Sequence, residues 1–190
     1  MKIKYLNPRK MFGLLFVMIS VGGFAQSQPL SKGSTAPTFS AEASRAGKEF
    51  HFSMKDALAK GPVVIYFFPS AYTGGCDLEA HTFATMIDRF KEAGTTVIGI
   101  SADDIQRLNS FSADPDFCGG TFPVASDPDG KIAAEFGLKM APPRPGAKDV
   151  RGIEINHGFL PRTTFVINKN GKVETVFSSA TDGISPDEHV

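Results

Sequence analysis

The 190-residue sequence has no tryptophan and only two cysteines, Cys76 and Cys118, far apart in the chain. No C-x-x-C occurs, so the usual thioredoxin or disulfide-isomerase motif is missing. Charge of one sign is lacking too: 20 Lys and Arg balance 20 Asp and Glu. No Lys/Arg stripe interleaves with aromatics, which leaves no electrostatic footprint for nucleic acid. His51, His81, His157 and His189 are scattered and share no ligand spacing with the cysteines. A zinc or haem site therefore has little support, and neither a metal nor an organic cofactor is expected. The phosphate-cradling G-x-x-x-x-G-K-[ST] is absent. "SDPDG" and "NKNG" stop short of a calcium loop and read as turns. There is no internal repeat.

What is present describes one exported globular domain. At 42% hydrophobic and 21% charged residues, the chain is able to bury a core of mixed structure. Lys2, Lys4, Arg9 and Lys10 precede "MFGLLFVMISVGGFA", with small residues at its end. This is the layout of a secretory signal peptide over residues 1–25, with the mature chain starting near Gln26. The alternative is an uncleaved membrane tether, although a span needs ~20 apolar residues. Either reading exports the domain, and a periplasmic location is expected. In that setting Cys76 and Cys118 are candidates for pairing. Residues 26–35 are rich in Ser, Gln, Pro and Lys and read as a flexible lead-in; 36–190 form the domain.

Periodicity then gives the elements. "FSAEASRAGKEFHF" reads as two short strands about a turn at Gly47, followed by a helix with Ser53 as cap and Gly61 as stop. "VVIYFF", Val63 to Phe68, is apolar on both faces, which suits a central strand covered on each side. Cys76, Ala80, Phe83, Ile87 and Phe90 recur at steps of four and three and share one helix face, closed at Gly94. A strand over Thr95 to Ser101, a helix carrying Ile105, Leu108 and Phe111, a strand in "TFPVASD", a helix in "PDGKIAAEFG" and a hairpin turning at "NKNG" complete the order. Alternating strands and helices predict an α/β three-layer sandwich with a mixed sheet. The Pro- and Gly-rich stretch from Lys139 to Pro161 has no period. Loops of that length are uncommon unless functional or mobile.

Cys76 follows the turn-rich "PSAYTGG" and stands where its helix begins. Unpaired N–H groups and the positive helix end there favour a thiolate, hence a nucleophile. Half of a structural disulfide, or an inert thiol, fits the position about as well.

The residues themselves resemble a family. Pro69, Thr73 and Cys76 reproduce the P-x-x-x-T-x-x-C signature of peroxiredoxins, and "CDLEAHTFA" resembles the continuation found in the bacterioferritin-comigratory-protein branch. "FPVASDPDGKIAAEFG" and "PRTTFVINKNGKV", with Arg162, are similar to later stretches of that branch. The likeness runs from about Ala36 to Ser179. It implies a thioredoxin-like fold and a thiol-dependent peroxidase that reduces hydrogen peroxide or small organic hydroperoxides.

The resemblance also implies roles. Cys76 would attack the peroxide; Thr73 would offer its hydroxyl to the peroxide or the thiolate; Arg162 would lower the thiol pKa and stabilise the transition state. Pro69 would shield the sulfur, and Glu79 would orient Arg162. The position where many relatives in this branch carry a second cysteine is His81 here. Cys118 is the remaining candidate for resolving the sulfenic acid as an internal disulfide, against a one-cysteine mechanism with an external thiol. A bridge would require the first helical turn to unwind. The expected reductant is thioredoxin-like or a small thiol, and the expected assembly a monomer or weak homodimer. Relatives usually finish in a helix, and "SPDEHV" looks like the capped start of one. Two rival readings are an exported thiol-disulfide oxidoreductase and a thioredoxin-fold binding module with a structural disulfide.

Overall fold

The computed structural model describes residues 28–190, so the predicted signal peptide lies outside the described residues. A seven-stranded mixed sheet has the order β2-β1-β5-β4-β3-β6-β7. Its strands are β1 (Ser40–Arg45), β2 (Lys48–Ser53), β3 (Val63–Phe67), β4 (Thr96–Ser101), β5 (Val124–Ser126), β6 (Thr163–Ile167) and β7 (Val173–Ser178). The helices are α1 (Met54–Leu58), α2 (Gly74–Glu92), α3 (Ile105–Ala113), α4 (Lys131–Glu135) and α5 (Ser179–Asp182), followed by a 3-10 turn over Pro186–His189. β3 runs parallel to β4 and antiparallel to β6. This is the three-layer α/β arrangement expected from the sequence.

The layers follow from alternation along β3, since successive strand side chains point to opposite faces. Val63, Ile65 and Phe67 join a core with Met54 and Ala57 of α1 and Ala133 of α4. Val64, Tyr66 and Phe68 join the opposite core with Ala80, Phe83 and Ile87 of α2 and Leu108 and Phe111 of α3. Both cysteines belong to this second, aromatic-rich core.

Three local expectations change. Residues 28–35 are tied down rather than flexible: Leu30 N–H donates to Phe136 O at 3.1 Å, Gly33 N–H to Val173 O at 2.8 Å, and Val173 N–H to Ser34 O at 3.0 Å. Backbone pairing with β7 outweighs the polar composition there. Ser53 caps α1 as expected, its hydroxyl accepting from Asp56 N–H, but the helix ends at Leu58 with Ala59 as its C-cap. Gly61 is required for close approach instead, because a Cβ there would lie 2.2 Å from Gly94 O. In the long segment, backbone bridges join Ala141 to Phe159 and Lys148 to Glu154.

One glycine went unremarked in the sequence. Gly99 of β4 pairs with Tyr66 of β3, and a Cβ at Gly99 would meet Tyr66 Cζ at 2.5 Å. The fully buried Tyr66 ring lies across the space the missing side chain leaves. Gly99→Ala is expected to lower stability by about 1–3 kcal/mol through overpacking. The denaturant midpoint should fall at unchanged slope; a wild-type midpoint would contradict the packing described.

Candidate active site

Strand register brings the distant parts together. β6 pairs antiparallel to β3 with Phe67 opposite Thr163, so Arg162, one residue before β6, arrives beside the exit of β3 at Phe68 and Pro69. The chain then turns through Ser70 to Thr73 into α2. Thr73 is the extended N-cap of that helix, and its carbonyl accepts from Cys76 N–H at 2.7 Å and Asp77 N–H at 2.9 Å. Cys76 thus stands in the first turn, as expected, and is 1% exposed.

Arg162 makes two contacts from one guanidinium. Nη2 lies 3.1 Å from Cys76 Sγ, and Nη1 donates to Glu79 Oε2. Glu79 is fully buried one helical turn after Cys76. Its burial pushes the carboxyl up to about 8, against the pull of Arg162. Thr73 Oγ1 donates to Ser70 O at 2.8 Å and also stands near enough to the sulfur to lower its pKa. A hydroxyl has one proton, so Thr73 serves either Ser70 or the sulfur by rotating. Pro69, Thr73 and Arg162 line a cleft of about 380 Å3 together with Phe159, Leu160 and Lys139. Cys76 lies beneath them rather than in the wall.

One electrostatic expectation is corrected. Burial pushes the Cys76 thiol up, while the Arg162 charge, the Ser70 backbone, the Thr73 hydroxyl and the Arg162 hydrogen bond pull it down; burial prevails. Loss of water disfavours the charged form more than one arginine recovers in this closed pocket.

Cys118 lies in the turn after α3 and is 0% exposed. Burial, then the charges of Asp114 and Asp77, push its thiol far above the ordinary range. Both cysteines are free thiols. Gly119 and Gly120 adopt left-handed φ of +53° and +70°, and their N–H groups are bonded to Asp114 O and Ser112 O at 2.9 Å each. The Cys118 turn is therefore held at rest.

Sequence reasoning missed a second layer beneath the Pro69–Thr73 turn. Buried Asp103 accepts from Ala71 N–H at 2.7 Å, Ser101 Oγ at 2.8 Å and Ser70 Oγ at 2.9 Å. His157 Nε2 lies 2.8 Å from the same carboxylate. Arg107 Nε is also 2.8 Å from Asp103 Oδ1, a close ion pair without hydrogen-bond alignment. Arg107 Nη2 continues to Ala71 O and Asp149 Oδ2, each at 2.9 Å. Asp149 in turn accepts from Arg151, whose guanidinium lies 3.2 Å from the Tyr72 ring centroid. Tyr72 has φ +59°, a strained backbone for a bulky residue. Val150 N–H donates to its carbonyl at 2.9 Å. The long segment from Lys139 to Pro161 thus clamps the turn that precedes Cys76. Only the S-A-D ending of β4 hinted at this in sequence; His157 lay in an aperiodic stretch.

A larger cleft of about 510 Å3 beside α3 includes Arg107, Arg151 and His157 but no residue of the sequence-predicted site. His81 is exposed. Among the described residues no three His, Cys, Asp or Glu side chains converge to hold a metal ion.

Comparison with known proteins agrees with this geometry. Residues 32–176 match the sequence profile of the AhpC/TSA family. A chloroplastic peroxiredoxin Q of Sedum lineare is 31% identical over 163 residues, 85% of this chain and 74% of that protein. The crystal structure of peroxidoxin BcpB from Mycobacterium tuberculosis superposes with TM-score 0.67 at 30% identity, over 84% of this chain and 91% of that one. Xanthomonas campestris peroxiredoxin Q superposes with TM-score 0.57 at 26% identity, over 74% and 79%.

Two outcomes test the electrostatics. Arg162→Met removes an opposite charge beside the sulfur, so the pH midpoint of Cys76 alkylation should rise by about 1–3 units; an unmoved midpoint would deny the contact. Asp103 is held below its ordinary range because His157, Ala71 N–H and Ser101 outweigh burial. Its contribution is present above the ordinary carboxylate pKa and lost as pH falls through the lowered value. His157 is raised, since Asp103 outweighs burial, so its contribution is present below the ordinary imidazole pKa and lost as pH rises through the raised value. His157→Ala should therefore cost about 1–3 kcal/mol in mildly acidic buffer and less as pH rises. Denaturant unfolding across pH reads this, and a cost that grows with pH would contradict it.

Proposed function

The chain belongs to the AhpC/TSA family, the thiol-dependent peroxidases called peroxiredoxins, and from that premise we propose that Cys76 is the residue a hydroperoxide oxidises and Cys118 the thiol that resolves it. The observation that carries the proposal is Arg162 Nη2 at 3.1 Å from Cys76 Sγ, under a cleft walled by Pro69, Thr73 and Arg162. The proposed substrates are hydrogen peroxide and small organic hydroperoxides, which would enter by the cleft that Thr73 and Arg162 line.

The thiolate attacks the nearer peroxide oxygen in line with the O–O bond. An S–O bond forms and the O–O bond breaks; the sulfur loses two electrons and the leaving oxygen departs as hydroxide or alkoxide, which takes up a proton. Arg162 stabilises negative charge as it moves from sulfur to the leaving oxygen. Thr73 releases Ser70 and donates to the peroxide. Glu79 holds the far side of the guanidinium, so Arg162 arrives oriented. A raised thiol pKa does not forbid this, because nucleophilicity rises with basicity and offsets part of the lost thiolate fraction. Water admitted with the substrate lessens the desolvation that opposes ionisation.

The resulting sulfenic acid condenses with the Cys118 thiol, forming the disulfide and releasing water. A thioredoxin-like or small-thiol reductant then restores both thiols by exchange. Phe117, beside Cys118, packs edge-on to Tyr72 at 5.3 Å and stacks on Phe111 at 5.4 Å. In this scheme the two sulfurs meet once the Cys118 turn loosens these contacts and the first turn of α2 unwinds. The N-terminal pattern of Lys2 to Lys10 followed by an apolar run supports secretion to the periplasm as the setting.

Peroxide consumption should vanish in Cys76→Ser. One equivalent of peroxide should convert wild type to a form lighter by two hydrogens, and Cys118→Ser to one heavier by one oxygen. Intact-mass spectrometry separates these. Thioredoxin-coupled turnover surviving in Cys118→Ser would end the resolving role, and consumption surviving in Cys76→Ser would end the whole assignment.

A further inference from the structure

The Glu79 carboxylate has one oxygen on Arg162, while the other, Oε1, is fully buried without a hydrogen-bond partner. A buried, half-satisfied carboxylate is costly, and it is free to rotate away from its single partner. A polar side chain from the far end of the described chain stands beside it: His189 Nδ1 lies 3.8 Å from Oε1. His189 is 3% exposed. Its ring is fixed on both sides, with Nδ1 3.0 Å from Thr164 Oγ1 and Nε2 2.9 Å from Ser179 Oγ. Thr164 is two residues beyond Arg162 on β6, and Ser179 N–H donates to Arg162 O at 3.3 Å. The imidazole is therefore anchored to the backbone that carries Arg162.

The segment bearing His189 is built to dock there. Ser185 and Glu188 form a reciprocal capping box around the Pro186–His189 turn. A Cβ at Gly75 would lie 3.3 Å from Pro186 Cγ and 3.2 Å from Arg162 Nη2. Gly75 thus leaves room for the turn and the guanidinium over the start of α2.

We infer that His189 is a positioning residue of this site: held between Thr164 and Ser179, its ring stands against the free oxygen of Glu79 at 3.8 Å and blocks that side, so that Glu79 stays on Arg162 and Arg162 stays on Cys76. The inference rests on the peroxidase reading of Cys76. Burial and the Arg162 charge lower the His189 pKa to about 4, against Asp182 and Glu188, so the ring is neutral at physiological pH. A neutral ring adds no charge beside the Glu79–Arg162 pair, and with both nitrogens engaged by Thr164 and Ser179 it acts on the carboxylate by position. An alanine leaves that side of Glu79 open, and the carboxylate is then free to turn away from Arg162.

The test compares His189→Ala and His189→Asn with wild type, reading the pH midpoint of Cys76 alkylation, the rate of its first oxidation by hydrogen peroxide, and the melting curve. In His189→Ala the midpoint should rise by about half a unit or more and oxidation slow by about threefold or more. His189→Asn keeps a nitrogen and an oxygen for Thr164 and Ser179 to hold against Glu79 and should restore both readouts to near wild type. A folded His189→Ala with wild-type midpoint and rate would overturn the inference. If the alanine variant does not fold, His189→Asn decides: wild-type values support the role, and a raised midpoint in a folded Asn variant overturns it. Alkylation needs no peroxide, so it judges His189 even if wild type fails to consume peroxide, a result that would sink the peroxidase reading of Cys76 instead.

Discussion

The structure turns on a competition at one sulfur atom. Folding takes Cys76 almost completely out of water, which disfavours its charged form, and then places Arg162 Nη2 at 3.1 Å to favour it. Neither effect is useful alone. An exposed thiolate would react with any electrophile, and a buried thiol without a cation would not ionise. In the proposed reaction, the two together would favour small oxidants that develop negative charge beside the guanidinium.

Everything around that contact serves to fix it. The β3–β6 register sets Arg162 beside the strand exit. Glu79 of α2 holds Arg162, while buried Asp103 and Asp149 share Arg107 of α3 and take His157 and Arg151 from the long segment. Tyr72 is the strained point in that arrangement. Its left-handed backbone is held by Arg151 above and by Phe111 and Phe117 on the ring edges. Strain there would lower the cost of unwinding the start of α2 in the proposed disulfide step, and Phe117 packs between Tyr72 and the turn carrying Cys118.

How much was legible in sequence follows from how local each signal is. The apolar run Val63 to Phe68 and the Cys76–Phe90 spacing are periodic within a single element, so strand, helix and the inward face of Cys76 could be read directly. Pro69, Thr73, Cys76, Glu79 and Arg162 came from a motif, and the structure brings all five together. The direction of the Cys76 pKa was misjudged, because helix-end and arginine effects are visible in sequence while depth of burial is not. Asp103, His157, Asp149 and His189 were missed for another reason: each has a partner tens of residues away, and His157 and Asp149 also lie in a stretch with no period. The docked lead-in was missed because backbone hydrogen bonds with β7 leave no mark on composition.

The most direct test is a single-turnover measurement on Cys118→Ser, in which the first oxidation is isolated. Hydrogen peroxide should convert Cys76, and no other residue, to a trappable sulfenic acid at a rate that is first order in peroxide and depends on the Arg162 charge. Peroxide consumed while Cys76 remains a free thiol would contradict the account.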